Sequence, residues 1–307
     1  MQKENSDITH PHDKLFKQVF SDVSNATDFI QGIFPKPLLG KLDLKSLALE
    51  TGTYVNKHLK ETFSDLVYSV NYRGKEQIQI SLLFEHKSYP EKYPHIQLLE
   101  YQLNVFKTQI KQKQELTPII PIIVYHGKRK WEQKAFTEDF KYMDEELEKY
   151  LPKFEYMLCD FSKLETEAII GELFTKEKIK IVVALMKLIF NRKILEELLE
   201  PILRIGENKY AGADGKAFLE TIISYLYFAG DIEPEVIIDT VAKISEEGGK
   251  TAMTAAAKLM ERGKIAGRQE GIQQGVQQGR QETLRETYAK LIKSGMTAEA
   301  AKKLLEL

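Results

Sequence analysis

Apolar residues recur at helical spacing through DKLFKQVFSDVSNATDFIQGIF (residues 13–34), and Pro35 and Pro37 end that run. Three strand-like runs follow: SDLVYSVNY (64–72), EQIQISLLFEHKS (76–88) and TPIIPIIVYHG (117–127). Arg73, Gly74 and Lys75 join the first two as the short turn of a hairpin. Between the second and third lies PHIQLLEYQLNVFKTQIKQK (94–113), an amphipathic helix pattern. The order helix, strand, strand, helix, strand predicts an α/β domain over residues 1–160.

From residue 161 to 260 the pattern changes. KEKIKIVVALMKLIF and KAFLETIISYLYFAG read as helices and no strand alternation stands out, so a helical region either packs against the first domain or forms its own bundle. Residues 261–307 begin with a repeat in which Gly263, Gly267, Gly271, Gly275 and Gly279 recur every four residues among Gln, Arg and Glu. On a helix they form a slowly turning stripe. Each interior Gly costs about 1 kcal/mol against Ala. Either a second helix, from another copy of the chain, packs closely on the stripe, or the segment is a flexible tail. The intervening polar residues exclude a membrane role for this spacing.

Alternation along the hairpin sorts its side chains by face. Ile78, Ile80, Leu82 and Phe84 share one face of the second strand; Gln79, Ser81, Leu83, Glu85 and Lys87 share the other. On the first strand Leu66, Tyr68, Val70 and Tyr72 form the apolar face, and Asp65, Val67, Ser69 and Asn71 lie opposite. A turn at Gly74 and Lys75 sets Asp65 across from Glu85 to within one residue of register, a difference that one bulge absorbs. Both acids and Lys87 then project from one face at one end of the hairpin. Two convergent carboxylates repel unless a cation lies between them. Mg²⁺ takes such hard oxygen ligands, and the His86 backbone carbonyl is placed to add another. A bound metal acidifies its water and stabilises charge on a phosphate, while Lys87 is placed to orient the water or hold a phosphate oxygen. The bland alternative is an exposed ion pair on a sheet edge.

Bulk composition narrows the class. A hydrophobic fraction of 43% over 307 residues supports a real core, and 44 basic against 45 acidic residues leaves the chain nearly neutral. A nucleic-acid protein of this balance must rely on local basic groups. Lys107, Lys111 and Lys113 form one candidate group; Lys128, Arg129, Lys130 and Lys134 form another, with Trp131 read as packing. The single Cys159 excludes an intrachain disulfide and a multi-cysteine zinc site and fits a reducing, cytoplasmic setting. MQKENSDITH has no signal-peptide core, and no run of about 18 apolar residues occurs, so no membrane span is expected. No P-loop or dinucleotide glycine pattern is present. His10 and His12 read as an exposed N-terminal segment, His126 and Gly127 as a turn, and Asp13, Lys14 and Lys17 either line a cleft or solubilise the first helix.

HDKLFKQVF, SDLVYSV, LLFEHKSYP, QLLEYQLNVF and PIIVYHGKRKW follow one another in an order that resembles the Rpn family of recombination-promoting nucleases, also called putative transposases. The resemblance runs from about residue 10 to mid-chain and more weakly into the Gly-rich tail. It implies a restriction-endonuclease-like PD-(D/E)XK core, a mixed sheet flanked by helices, followed by an α-helical C-terminal region. It also implies DNA as substrate and Mg²⁺ or Mn²⁺ as cofactor. Its acidic positions fall on Asp65 and Glu85, and its lysine-or-glutamine position on Lys87. An active-site Gln on the following helix falls on Gln97, with Gln102 as the alternative. The expected activity is metal-dependent endonucleolytic hydrolysis of DNA; the competing reading is a nuclease-fold module that binds DNA or protein without useful catalysis.

Overall fold

The computed structural model describes residues 11–50, 66–73 and 75–305, and the backbone alone at 75–85, 262, 266, 270 and 301. The chain divides into two compact units, residues 1–253 and 254–307. The long N-terminal run is two helices, α1 (Pro11–Phe20) and α2 (Val23–Ile33). The side chain of Asp22 accepts hydrogen bonds from Ser24 N (2.8 Å) and Asn25 N (3.3 Å). It caps α2 and therefore breaks the helix that periodicity alone would continue.

The described strands form one five-stranded sheet in the order β1 (Leu42–Leu49), β2 (Leu66–Tyr72), β3 (Lys75–Lys87), β4 (Ile119–Tyr125) and β5 (Met157–Asp160). β1, β2 and β3 are antiparallel neighbours, whereas β3, β4 and β5 run parallel. The sheet is thus mixed, and α3 (Pro94–Lys111) is the crossover that a parallel β3–β4 pair demands. The two edge strands are additions to the sequence reading. β1 buries only Leu42 and Leu47, and β5 has four residues, too few to show a period of two. The hairpin pairs Leu66 with Phe84 through to Asn71 with Gln79, then slips to Tyr72 with Lys75. The irregularity lies at the turn, where Arg73 takes a left-handed φ of 56°.

Both sheet faces are covered. On one, Leu98, Tyr101 and Val105 of α3 pack with Val67, Ile119, Ile123, Tyr125, Trp131 and Tyr156. On the other, the Tyr68 hydroxyl donates to the Phe20 carbonyl, and the Phe16 ring stacks on His86 at 5.0 Å, so α1 lies against that face. The region after residue 160 is helical: α4 (Glu177–Leu188), α5 (Arg192–Arg204), α6 (Gly212–Gly230) and α7 (Pro234–Ile244). It shares its core with α1 and α2. Asp28 on α2 accepts from Thr175 N (2.9 Å), Thr175 Oγ1 (2.5 Å) and Lys176 N (2.9 Å), capping the approach to α4. Phe29 stacks on Phe174 at 6.0 Å. A Cβ at Gly32 would meet the Leu173 carbonyl at 2.5 Å, so only glycine permits this approach.

The last elements are α8 (Glu246–Lys293), a continuous helix of 48 residues, and α9 (Ala298–Leu304). Around each repeat glycine from Gly263 to Gly279 a Cβ would meet nothing within 4 Å. Among the described residues no helix is long and apolar enough to cross a membrane.

Asp28 is 3% exposed and accepts from three donors, so its loss removes all three bonds between α2 and the approach to α4. Asp28→Ala should cost about 2 to 3 kcal/mol of stability. A urea midpoint unchanged from wild type would show that this cap does not join the helical region to α2.

Candidate active site

The parallel β3–β4 ladder fixes a row across the sheet, Lys87 beside Tyr125 and Tyr125 beside Asp160. This row lies on the α3 face, since Tyr125 belongs to the core under that helix. The Lys87 side chain is 8% exposed, with Nζ 3.8 Å from Glu91 Oε2 and 5.8 Å from the Tyr89 ring centre. It is therefore not the exposed edge residue of the bland alternative. The Tyr125 hydroxyl donates to the Arg129 carbonyl, and burial, then the nearby Asp160, push its pKa up. Asp160 is occupied locally, accepting from Ser162 N (3.0 Å) and Ser162 Oγ (2.7 Å).

Asp65 lies outside the described residues, as does the side chain of Glu85. The Glu85 backbone pairs with Ile123 in β4. The Lys87 carbonyl accepts from His126 N at 3.2 Å. Because backbone groups alternate in direction along a strand, the His86 carbonyl then faces the β2 side, where the described ladder ends at Leu66 and Phe84. Among the described residues no group of three or more His, Cys, Asp or Glu side chains is placed to hold a metal.

Gln97 is half-buried in the second turn of α3, and that helix begins seven residues after Lys87. Gln102 is drawn elsewhere: its Nε2 donates to the Ile119 carbonyl at 3.4 Å. Ile119 is six residues before Tyr125, roughly 20 Å along β4, so Gln102 serves the far end of the sheet. The same geometry separates the basic groups. Exposed Lys111 and Lys113 precede β4, while exposed Lys128, Arg129 and Lys130 follow it at the Lys87 end. Trp131 is 3% exposed and its Nε1 donates to the Tyr156 hydroxyl at 3.2 Å, which makes it a core residue. Beside the first turn of α3 a cavity of about 580 Å³ opens among His95, Phe136, Phe154, Tyr156, Lys134 and Lys153.

On the opposite face of β3 the structure assembles a cluster that the sequence reading missed. His86 and His126 are 4% and 2% exposed. His86 Nδ1 lies 2.9 Å from Asp13 Oδ1. His126 Nε2 lies 3.2 Å from His12 Nδ1, which is 3.0 Å from the Tyr225 hydroxyl on α6. The His86 and His126 rings meet edge to face at 4.8 Å and 89°. His12 is therefore not part of an exposed N-terminal segment, and His126 does more than close a turn. The available signal was that each ring abuts an apolar run; what hid it was that the runs are far apart in the chain. Burial first, then the neighbouring His86, holds the His12 pKa down at about 4 and that of His126 well below its ordinary value.

A family model described as "Putative transposase, YhgA-like" matches residues 10–216. The chain belongs to this YhgA-like family. Recombination-promoting nuclease RpnC of Escherichia coli (strain K12) is 26% identical over 256 residues, 83% of this chain and 82% of the relative. Recombination-promoting nuclease RpnA of the same strain is 24% identical over 256 residues, 83% and 85% of the two chains. A third relative there, 25% identical over 271 residues and 86% of each chain, is named "Inactive recombination-promoting nuclease-like protein RpnE". No solved structure matches the chain. The family match spans every element from α1 to β5, so it includes both faces of the Lys87 strand.

The depressed histidines give a pH dependence with a defined sign. Unfolded His12 takes up a proton below about pH 6.5, whereas folded His12 does so only near pH 4. The unfolded state then binds more protons, and stability falls as pH drops between those values. For His12 alone the loss reaches about 3 kcal/mol. Urea unfolding at pH 7.5 and 5 should show it, and His12→Gln should flatten the slope; an unchanged slope would remove His12 as the source.

Proposed function

We propose that the chain is a metal-dependent deoxyribonuclease with a PD-(D/E)XK site made by Asp65, Glu85 and Lys87. The observation that carries this reading is the enclosed Lys87 at the end of the central strand β3. Antiparallel β2 lies on one side of it and parallel β4 on the other, with a helix following directly. Relatives named nucleases over more than four-fifths of the chain support it. Mg²⁺ or Mn²⁺, held by Asp65, Glu85 and the His86 carbonyl, would supply Lewis-acid chemistry when bound. Lys87 would orient the attacking water or hold a phosphate oxygen. Its enclosure keeps the ammonium in a medium where its field on a phosphate is less screened than in water. Gln97, near the start of α3, would touch the substrate or the water. Lys128, Arg129 and Lys130 would meet backbone phosphates without reading sequence.

A relative named inactive, as similar to this chain as those named nucleases, favours a second reading: a DNA-binding or protein-interaction module that keeps the fold. Plasmid cleavage under Mg²⁺ or Mn²⁺ separates the two. Lys87→Met keeps the side chain's bulk and should reduce cleavage about a hundredfold or more. Cleavage equal to wild type would take Lys87 out of the chemistry, and no metal-dependent cleavage by wild type would favour the module.

Self-association through the tail belongs to the same proposal. Ile265, Ile272 and Val276 are exposed at 53%, 57% and 66% and fall within about 40° of one another around the helix. Gly267, Gly271 and Gly275 lie about 80° to 160° around the helix from that apolar stripe, and there a Cβ meets nothing within 4 Å, so a second helix can approach closely. Replacing Gly267, Gly271 and Gly275 with Ala should raise helicity, each worth about 1 kcal/mol, while lowering the oligomeric state seen in sedimentation. An unchanged oligomeric state would rule out the glycine seam.

A further inference from the structure

The segments HDKLFKQVF, LLFEHKSYP and PIIVYHGKRKW each deliver one imidazole to the buried cluster: His12, His86 and His126. None of these rings shares a sheet face with Lys87. His86 precedes Lys87 on β3 and its ring stacks on Phe16 of α1, while Lys87 pairs with Tyr125 on the α3 face. The cluster therefore reaches Lys87 through the backbone and not by contact with anything Lys87 would touch.

We infer that Asp13, with the three imidazoles, is a positioning brace for the catalytic end of β3. The inference rests on the reading of Lys87 as a catalytic group. The last three residues of β3 pair with Ile123, Val124 and Tyr125 of β4, and His126 N donates to the Lys87 carbonyl at 3.2 Å. The side chains on either side of that bond, His86 and His126, meet edge to face on the α1 side. Asp13 then fixes the His86 ring at 2.9 Å. Just beyond, a Cβ on Gly127 would meet the Ser88 carbonyl at 2.2 Å, so the exits of β3 and β4 are pressed together and glycine is required there.

A purely apolar plug would exclude water as well and avoid the cost of burying polar rings. What a carboxylate–imidazole bond adds is direction. It fixes which ring nitrogen carries the proton and the angle at which the ring sits, as carboxylates do for functional histidines elsewhere. A ring tethered to Asp13 holds the His86 Cα against α1, and the Lys87 side chain leaves from the next Cα on the same strand. Misplacing a catalytic group by 1 Å costs about a hundredfold in rate, which is reason enough to spend buried polar groups on the back of the strand.

The test uses the full chain, with Asp13→Ala, Asp13→Asn and Lys87→Met measured side by side. Two readouts are taken: kcat and KM for plasmid cleavage, and hydrogen–deuterium exchange over residues 86–88. Asp13→Asn keeps an oxygen that accepts from His86 Nδ1–H; Asp13→Ala does not. Asp13→Ala should lower kcat roughly tenfold with KM nearly unchanged, and speed exchange at 86–88 while α4 stays protected. Asp13→Asn should restore most of both. Wild-type exchange at 86–88 in Asp13→Ala overturns the brace. So does an equal loss in the Ala and Asn variants, or faster exchange that extends over α4, which marks general destabilisation. If Lys87→Met cleaves like wild type, the catalytic reading of Lys87 fails and the exchange measurement alone decides the brace.

Discussion

The parallel pairing of β3 with β4 is the constraint on which the rest of the first unit depends. Two strands that run the same way cannot be joined by a tight turn; the chain must cross back over the sheet. Here α3 makes that return and covers one face, with Leu98, Tyr101 and Val105 packed on Ile119, Ile123 and Tyr125. The crossover begins just past Lys87, so the Glu85–Lys87 segment stands at the mouth between strand end and helix start. It also sends the basic residues before and after β4 to opposite ends of the sheet. Among the basic residues that flank β4, Lys128, Arg129 and Lys130 stand at the Lys87 end.

A strand buried on both faces pays for polar residues in desolvation, and β3 carries two consecutive ones, His86 and Lys87, both under a tenth exposed. Alternation sends them to opposite faces. Lys87 meets Glu91 and the Tyr89 ring on the α3 side. His86 meets Asp13, Phe16 and His126 on the α1 side. The back of the strand is thus a polar interior in its own right. Through His12 and the Tyr225 hydroxyl it extends to α6, which links the sheet to the helical region at the same point where α1 is anchored.

That helical region is held by a second buried polar contact. Asp28 reaches from α2 to the backbone at Thr175 and Lys176, and Gly32 lets the two segments close to backbone distance. α4 is buried along most of its length, and α1 and α2 pack against it alongside its own bundle neighbours. The family match stops at residue 216, within α6, after these contacts have been made.

By itself the sequence determined the elements whose signal is local. The helical period of 94–113 marked α3, and alternation in 64–72 and 76–88 marked the two strands of the hairpin. The break between α1 and α2 was not legible, because a single side-chain cap at Asp22 overrides a periodicity that runs through it. β1 and β5 were hidden because edge strands need bury only one face, or are too short to show a period. Of the candidate site, the placement of Lys87 at the end of a strand could be read, since it follows from spacing along one segment. Its enclosure, the separation of Gln102 from Gln97 and the meeting of His12, His86 and His126 were decided by the tertiary structure alone. Those histidines lie 74 and 40 positions apart along the chain. Nothing in the spacing of distant residues records that a crossover and a docked helix bring their rings together.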